Sequence, residues 1–209
     1  MAEHEINLET WQRRETFALF RTYQMPHYSL TSRLDVSHVI ERSRSGGVSA
    51  YRACLFAIGA GMHAVPELMV RFRGSKIIQY DTVALSMTVP LDRGGFGYAY
   101  VPFDPDFKTF DRQCDALIKD VASGSELKPN TGSRDDLVYL SCLPWLDFTS
   151  LNNALPGPDD CIPRVSWGKF VEQATHHDMA MAIEVHHALV DGAHLGVFFD
   201  AVQDALNRI

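Results

Sequence analysis

The sequence predicts an α+β domain in which a mixed β-sheet is covered by helices. Three observations carry that prediction. Apolar residues recur at helical spacing in some stretches and at strand spacing in others. The two kinds follow one another without regular β–α alternation, which argues against a doubly wound unit. The glycine-rich loop Gly94-Gly95-Phe96-Gly97 sits between two strand-like runs, so it lacks the strand-to-helix setting of a dinucleotide fingerprint.

Trp11 to Arg21 reads as a short helix, with Trp11, Phe17 and Phe20 set apart from Arg13, Arg14 and Glu15. Tyr28 to Asp35 alternates as a strand. Asp35 or Ser37 can then cap a helix through Val39 and Ile40, which Gly46-Gly47 breaks. Ser49 caps a longer helix that runs to Val65, with Tyr51, Cys54, Leu55, Ile58 and Met62 on one face and Pro66 as its stop. Strands are expected at Ile77 to Tyr80, Val83 to Val89 and Phe96 to Val101, the last two joined by a turn at Asp92-Arg93-Gly94-Gly95. Asp106 to Val121 is a helix, and a polar loop follows from Ser123 to Asp135. Leu137 to Leu143, Ile162 to Val171 and Met179 to His187 are further strands. Ala193 to Leu206 closes the chain as a helix, with Leu195, Phe198, Phe199, Val202 and Leu206 together.

The chain has 209 residues, enough for one domain or a compact pair with a substantial core, and 46% hydrophobic against 22% charged residues marks it as folded. A formal net charge of −7 argues against nucleic acid as a partner, which would demand clustered cations. It still permits a small anionic ligand held by a few local groups. Cys54, Cys114, Cys142 and Cys161 form no CxxC pair. The first residues are polar and acidic, and the most apolar helical stretch, Ala53 to Met62, is far too short to span a bilayer. A cytoplasmic protein with reduced thiols and no membrane association is expected.

The chemistry concentrates at His186-His187-Ala188-Leu189-Val190-Asp191-Gly192. A strand ends on two adjacent histidines, and successive strand residues face opposite ways, so one histidine is packed and the other opens outward. A rigidly held imidazole suits general-base catalysis, which needs a fixed tautomer as much as a suitable pKa. His187, Asp191 and His194 together also allow a metal reading. It is disfavoured because they span a strand end, a turn and a helix start, not one helical face. His176-His177 reads as structural.

The motif resembles the signature of the chloramphenicol acetyltransferases and, more distantly, the catalytic domain of dihydrolipoyl acyltransferases. Likeness to the first family extends over nearly the whole chain. It includes Trp11 to Phe17, Tyr28 to Asp35, Ser141-Cys142-Leu143-Pro144-Trp145 and Ser166-Trp167-Gly168-Lys169-Phe170. The resemblance implies a two-layer sandwich, with residues 1–209 as a single coenzyme A-dependent acyltransferase domain. It also implies acetyl-CoA as co-substrate, no permanently bound cofactor or metal, and a homotrimer whose active sites lie between subunits.

Carried over position by position, His187 resembles the family's general base and Ser141 its oxyanion donor. Asp191 resembles the acid paired to an arginine, here Arg13, that braces the histidine loop. Ser166 stands where the family has a threonine that holds a water. Lys169, Phe170 and Tyr51 match positions that contact coenzyme A. Ser49 stands where better-known members carry a second lysine for its phosphate. Phe20, Gln24, Pro26, Tyr28, Phe96 and Tyr98 fall in segments that line the acceptor pocket. Gln24 and Tyr98 make that pocket more polar and bulkier, so chloramphenicol is one candidate acceptor among several. Two other readings are weighed: a dihydrolipoyl acyltransferase-like core, and a ligand-sequestering protein of the same fold without catalysis.

Overall fold

The computed structural model describes residues 2–124, 129–130, 132 and 134–209. Six strands form a mixed sheet: β2 (His27–Asp35), β5 (Ala84–Pro90), β6 (Phe96–Pro102), β7 (Leu137–Cys142), β8 (Arg164–Glu172) and β9 (His177–His186). Their spatial order is β2-β9-β8-β7-β5-β6. The β5–β7 and β7–β8 pairs are parallel and the others antiparallel. Parallel neighbours need crossovers, not hairpins. Helix α4 (Phe107–Ser123) lies in the first crossover, and the long loop over residues 143–163 makes the second. A smaller antiparallel sheet joins β1 (Glu3–Ile6), β4 (Lys76–Tyr80) and β3 (Val70–Arg73) in the order β1-β4-β3.

The predicted α+β class holds, but the single sheet expected from the sequence divides in two. Strand β4 pairs only with β1 and β3, neither of which the pattern announces. Glu3–Ile6 is mostly polar and exposed, and Val70–Arg73 is only four residues long. Neither gives a periodicity signal. The expected loop from Ser123 to Asp135 lies partly outside the described residues.

The helices mostly keep their predicted limits. Helix α1 (Arg14–Phe20) starts later than expected, because the chain from Trp11 turns first, with Arg14 N–H donating to Trp11 O at 3.1 Å. Helix α2 (Ser37–Arg44) follows an Asp35 carboxylate that accepts from Ser37 N–H at 2.8 Å. Ser49 caps α3 (Ala50–His63), as read from the sequence, and Asp106, expected as the first helical residue, instead caps α4. Helix α5 (Gly192–Leu206) packs on α3 at Gly61, where an added Cβ would stand 2.5 Å from Val202 Cγ2. That glycine is the condition for the close approach of the two helices.

The two faces of the large sheet differ completely, as a period of two allows. Met87, Val138, Leu140, Val165, Trp167, Met181, Ile183 and Val185 are buried in the core with residues of α3, α4 and α5. Opposite them, the register aligns Ser29, Glu184, Arg164, Tyr139, Ser86 and Tyr100 into one polar row across all six strands. The next row contains Thr31, Ala182, Ser166 and Ser141.

The crossover loop seals part of this polar face. Buried Glu184 accepts from Asn153 N–H at 2.8 Å and from its Nδ2 at 2.9 Å. Ser29 donates to Leu151 O at 2.8 Å, and Arg33 pairs with Asp147 at 2.7 Å. Leu146 O crosses Gly168 so closely that a Cβ there would lie 2.6 Å from it.

Arg71 of β3 is fully buried and donates to four backbone carbonyls: Asp135 O, Leu68 O, Val70 O and Leu137 O, at 2.7 to 2.9 Å. It ties the small sheet to the start of β7. No helix among the described residues is long and apolar enough to cross a membrane.

Candidate active site

The paired histidines at the end of β9 separate as strand alternation requires. His186 is buried, and its Nδ1 accepts from Ala188 N–H at 3.1 Å while Nε2 donates to Pro158 O at 3.0 Å. Both nitrogens are therefore committed and the ring is held neutral. Burial, with His27 beside it, pushes its pKa down to about 4. In the unfolded chain the ordinary value of about 6.5 returns. The neutral ring thus contributes stability that is complete above about pH 6.5 and lost as the pH falls towards 4. Urea denaturation at pH 7 and pH 5 should show wild type losing more stability than His186→Gln over that interval. Equal losses would contradict the assignment.

His187 faces the other way and remains partly open, with 35% of its side chain exposed. Its backbone N–H is held by Pro26 O at 2.9 Å. Phe20 stacks on the imidazole at 3.9 Å and 9°, and the Tyr28 ring lies at 4.7 Å. Nδ1 is buried without a hydrogen bond, 3.5 Å from Asp191 Oδ1. That leaves Nε2 as the nitrogen that can exchange a proton with a ligand.

Arg13 and Asp191 pair as a fork, one contact being Nη2 to Oδ1 at 3.0 Å. The same Nη2 reaches His187 O at 3.4 Å. The Arg13 hydrogen bond holds the Asp191 carboxyl below the usual carboxylate range. Two parallel bonds fix geometry as one ammonium could not. Tyr28 donates to Val190 O at 3.3 Å, and burial pushes its phenol up to about 12. Gln24 and Tyr28 line a cavity of about 390 Å3 with His27, Asn153 and Glu184.

Ser141 and Ser166 lie elsewhere. They are direct partners across β7 and β8, and Ser166 in turn faces Ala182, five positions before His187 on β9. Two strand spacings and five residues of rise put Ser141 on the order of 20 Å from His187 within one chain. Two residues back from Ser141 on the same face, Tyr139 enters a cavity of about 620 Å3 shared with Ser86, Thr88, Tyr98 and Arg164. Phe96 stacks edge-on against Tyr98 at 5.7 Å and is half exposed. The residues expected to meet the acceptor therefore fall into two groups. Phe20 and Tyr28 pack on His187 and Gln24 lines a cavity with Tyr28, while Tyr98 lines the cavity that Tyr139 enters and Phe96 packs against Tyr98.

Lys169 is exposed inside a β-bulge between Trp167 and Phe170, which turns it out of the ladder. Tyr51 packs on Trp167 at 5.7 Å, and burial raises its phenol pKa. Ser49 is engaged as the α3 cap and supplies no cation.

Sequence reasoning missed Tyr139, Arg164 and Asp160. Tyr139 shares the face of Ser141 by simple alternation, so period two could have found it. Asp160 chelates Arg164 through both oxygens at 2.7 and 3.1 Å, and no helical pattern marks that pair.

The fold and the family match together define an acyltransferase. A solved chloramphenicol acetyltransferase superposes with a TM-score of 0.91 at 26% identity, covering 98% of this chain and 100% of its own. A probable dihydrolipoamide acetyltransferase from Listeria monocytogenes shares the fold alone, with a TM-score of 0.67 at 12% identity over 99% of this chain and 95% of its own. The model of the family described as chloramphenicol acetyltransferase matches residues 1–203, and the chain belongs to that family. Chloramphenicol acetyltransferase 2 of Escherichia coli is 26% identical over 200 residues, 95% of this chain and 94% of the relative. The Staphylococcus aureus chloramphenicol acetyltransferase is 25% identical over 211 residues, 98% and 96% of the two chains.

Proposed function

We propose that the 209 residues act as one catalytic domain that moves an acetyl group from acetyl-CoA to a hydroxyl of a small acceptor, with chloramphenicol the first candidate. The family membership supports this chemistry. The observation that carries the residue assignment is the half-open His187 imidazole beside the Arg13–Asp191 fork.

Nε2 of His187 removes the acceptor hydroxyl proton as the oxygen attacks the thioester carbonyl. Ser141 donates a hydrogen bond to the oxyanion, worth about 3 kcal/mol for a well-placed donor. Ser166 holds a water near it. The tetrahedral adduct collapses, the carbon–sulfur bond breaks, and the proton on His187 passes to the departing sulfur. The products are the acetyl ester and coenzyme A. Arg13 and Asp191 hold the histidine loop. Lys169, Phe170 and Tyr51 contact coenzyme A, with Lys169 the cation for its phosphate. Phe20, Gln24, Tyr28, Phe96 and Tyr98 shape the acceptor site. We assign the protein to the cytoplasm, in keeping with its four unpaired cysteines.

The separation of Ser141 from His187 supports an active site built between chains of a homotrimer, His187 from one subunit and Ser141 from its neighbour. Complementation tests this reading. His187→Ala and Ser141→Ala are each expected to release little thiol from acetyl-CoA with chloramphenicol or another hydroxylic acceptor. Unfolded, mixed in equal amounts and refolded together, they should recover about a quarter of wild-type activity, since one site in four then joins two intact residues. No recovery, with each variant refolding normally alone, would refute the shared site. Wild type without acceptor-dependent release from any hydroxylic compound would favour a ligand-sequestering role.

A further inference from the structure

His194, on the first turn of α5, lies beside the reactive loop but takes no part in the proton transfer described above. Its Nδ1 accepts from Asp191 N–H at 3.0 Å. Its Nε2 stands 3.6 Å from Glu67 Oε1, on the short 3-10 turn Pro66–Met69 that follows α3. Asp191 is the residue that caps α5, and position three of a helix often reaches back to the capping N–H through a Glu or Gln side chain. Here an imidazole makes that contact.

An imidazole nitrogen that accepts a backbone N–H carries no proton, so the ring proton sits on Nε2, towards the Glu67 carboxylate. The chain of contacts runs from Glu67 through His194 to the Asp191 backbone. From the Asp191 carboxylate it continues through the fork to Arg13, which reaches His187 O. Asp191 Oδ1 also stands 3.5 Å from His187 Nδ1.

We infer that His194 is a positioning residue: with Glu67 it pins the Asp191 backbone, and through Asp191 it sets the placement of His187. The inference rests on the reading of His187 as the general base. A ring moved by about 1 Å is enough to lose a large factor in rate. Substrate-contacting groups are untouched, so binding should be spared.

The test compares His194→Ala with His194→Gln, whose amide oxygen can accept the same N–H. His194→Ala should lower kcat about tenfold with KM for acetyl-CoA and for the acceptor within about twofold. His194→Gln should recover most of that loss. Amide hydrogen exchange at Asp191, measured without substrates, should quicken in the alanine variant and slow again in the glutamine variant. Unchanged exchange in His194→Ala overturns the inference whatever the activity. So does quickened exchange with an unchanged kcat, which would leave His194 a stabilising cap only. If wild type transfers no acetyl group while exchange responds as stated, the pin stands and the functional reading has failed instead.

Discussion

Replacing His187 by alanine is expected to lower kcat for acetyl transfer by about a thousandfold, within the range a positioned general base supplies. KM for acetyl-CoA should stay within about twofold, because the imidazole is assigned to the acceptor's proton and not to the donor. The geometry gives the reason for so large an effect. Phe20 fixes the plane of the ring, and Pro26 O holds the backbone. Nδ1 is turned inward to Asp191, so Nε2 alone is presented. The adjacent His186 cannot substitute, since both of its nitrogens are occupied. Initial rates of thiol release, with folding checked by circular dichroism, decide the matter. A loss below tenfold would remove His187 from the role of base.

Arg71→Leu should destabilise the fold by about 3–5 kcal/mol, because four carbonyls, three of them in buried bonds, lose their donor at once. The guanidinium is buried and bonded to backbone oxygens on both sides of the junction between β3 and β7. Burial lowers its pKa, and those bonds, with nearby Asp135 and Asp160, oppose that cost. Lysine has fewer donors and no planar fork, so Arg71→Lys should recover only part of the loss. Urea denaturation of the two variants measures both effects. A loss under 1 kcal/mol for leucine would show that water replaces the donor.

The sequence announces elements that bury a stripe and hides those that do not. Helix α3 was legible because Ser49 caps it and apolar residues repeat along it. Strand β2 was legible from alternation, and strands β5 to β9 as strand-like runs, the first two joined by the turn at Asp92-Arg93-Gly94-Gly95. Strands β1 and β3 were hidden because they are short and their partner, β4, looked like a member of the larger sheet. At the site, the divergence of His186 and His187 follows from strand geometry alone. The pairing of Arg13 with Asp191, 178 positions apart, has no local signature. Only the family resemblance implies it. The sequence offers His194 only as a disfavoured metal ligand, and its bond to Asp191 N–H depends on where the α5 cap falls, which periodicity does not give. The distance between Ser141 and His187 was equally invisible, since it depends on strand order.

The unequal faces of the large sheet imply unequal mutational tolerance. On the helical side the requirement is volume, so exchanges such as Met181→Leu should be absorbed by neighbours that can repack. On the loop side the requirement is a matched inventory of donors and acceptors. There Glu184 serves two donors from Asn153, and Asp160 serves both Arg164 and Ile162 N–H. An exchange that conserves shape but alters one donor leaves a buried group unmatched. Sequence drift in this chain should therefore run freely among apolar residues under the helices, while paired changes accumulate beneath the loop.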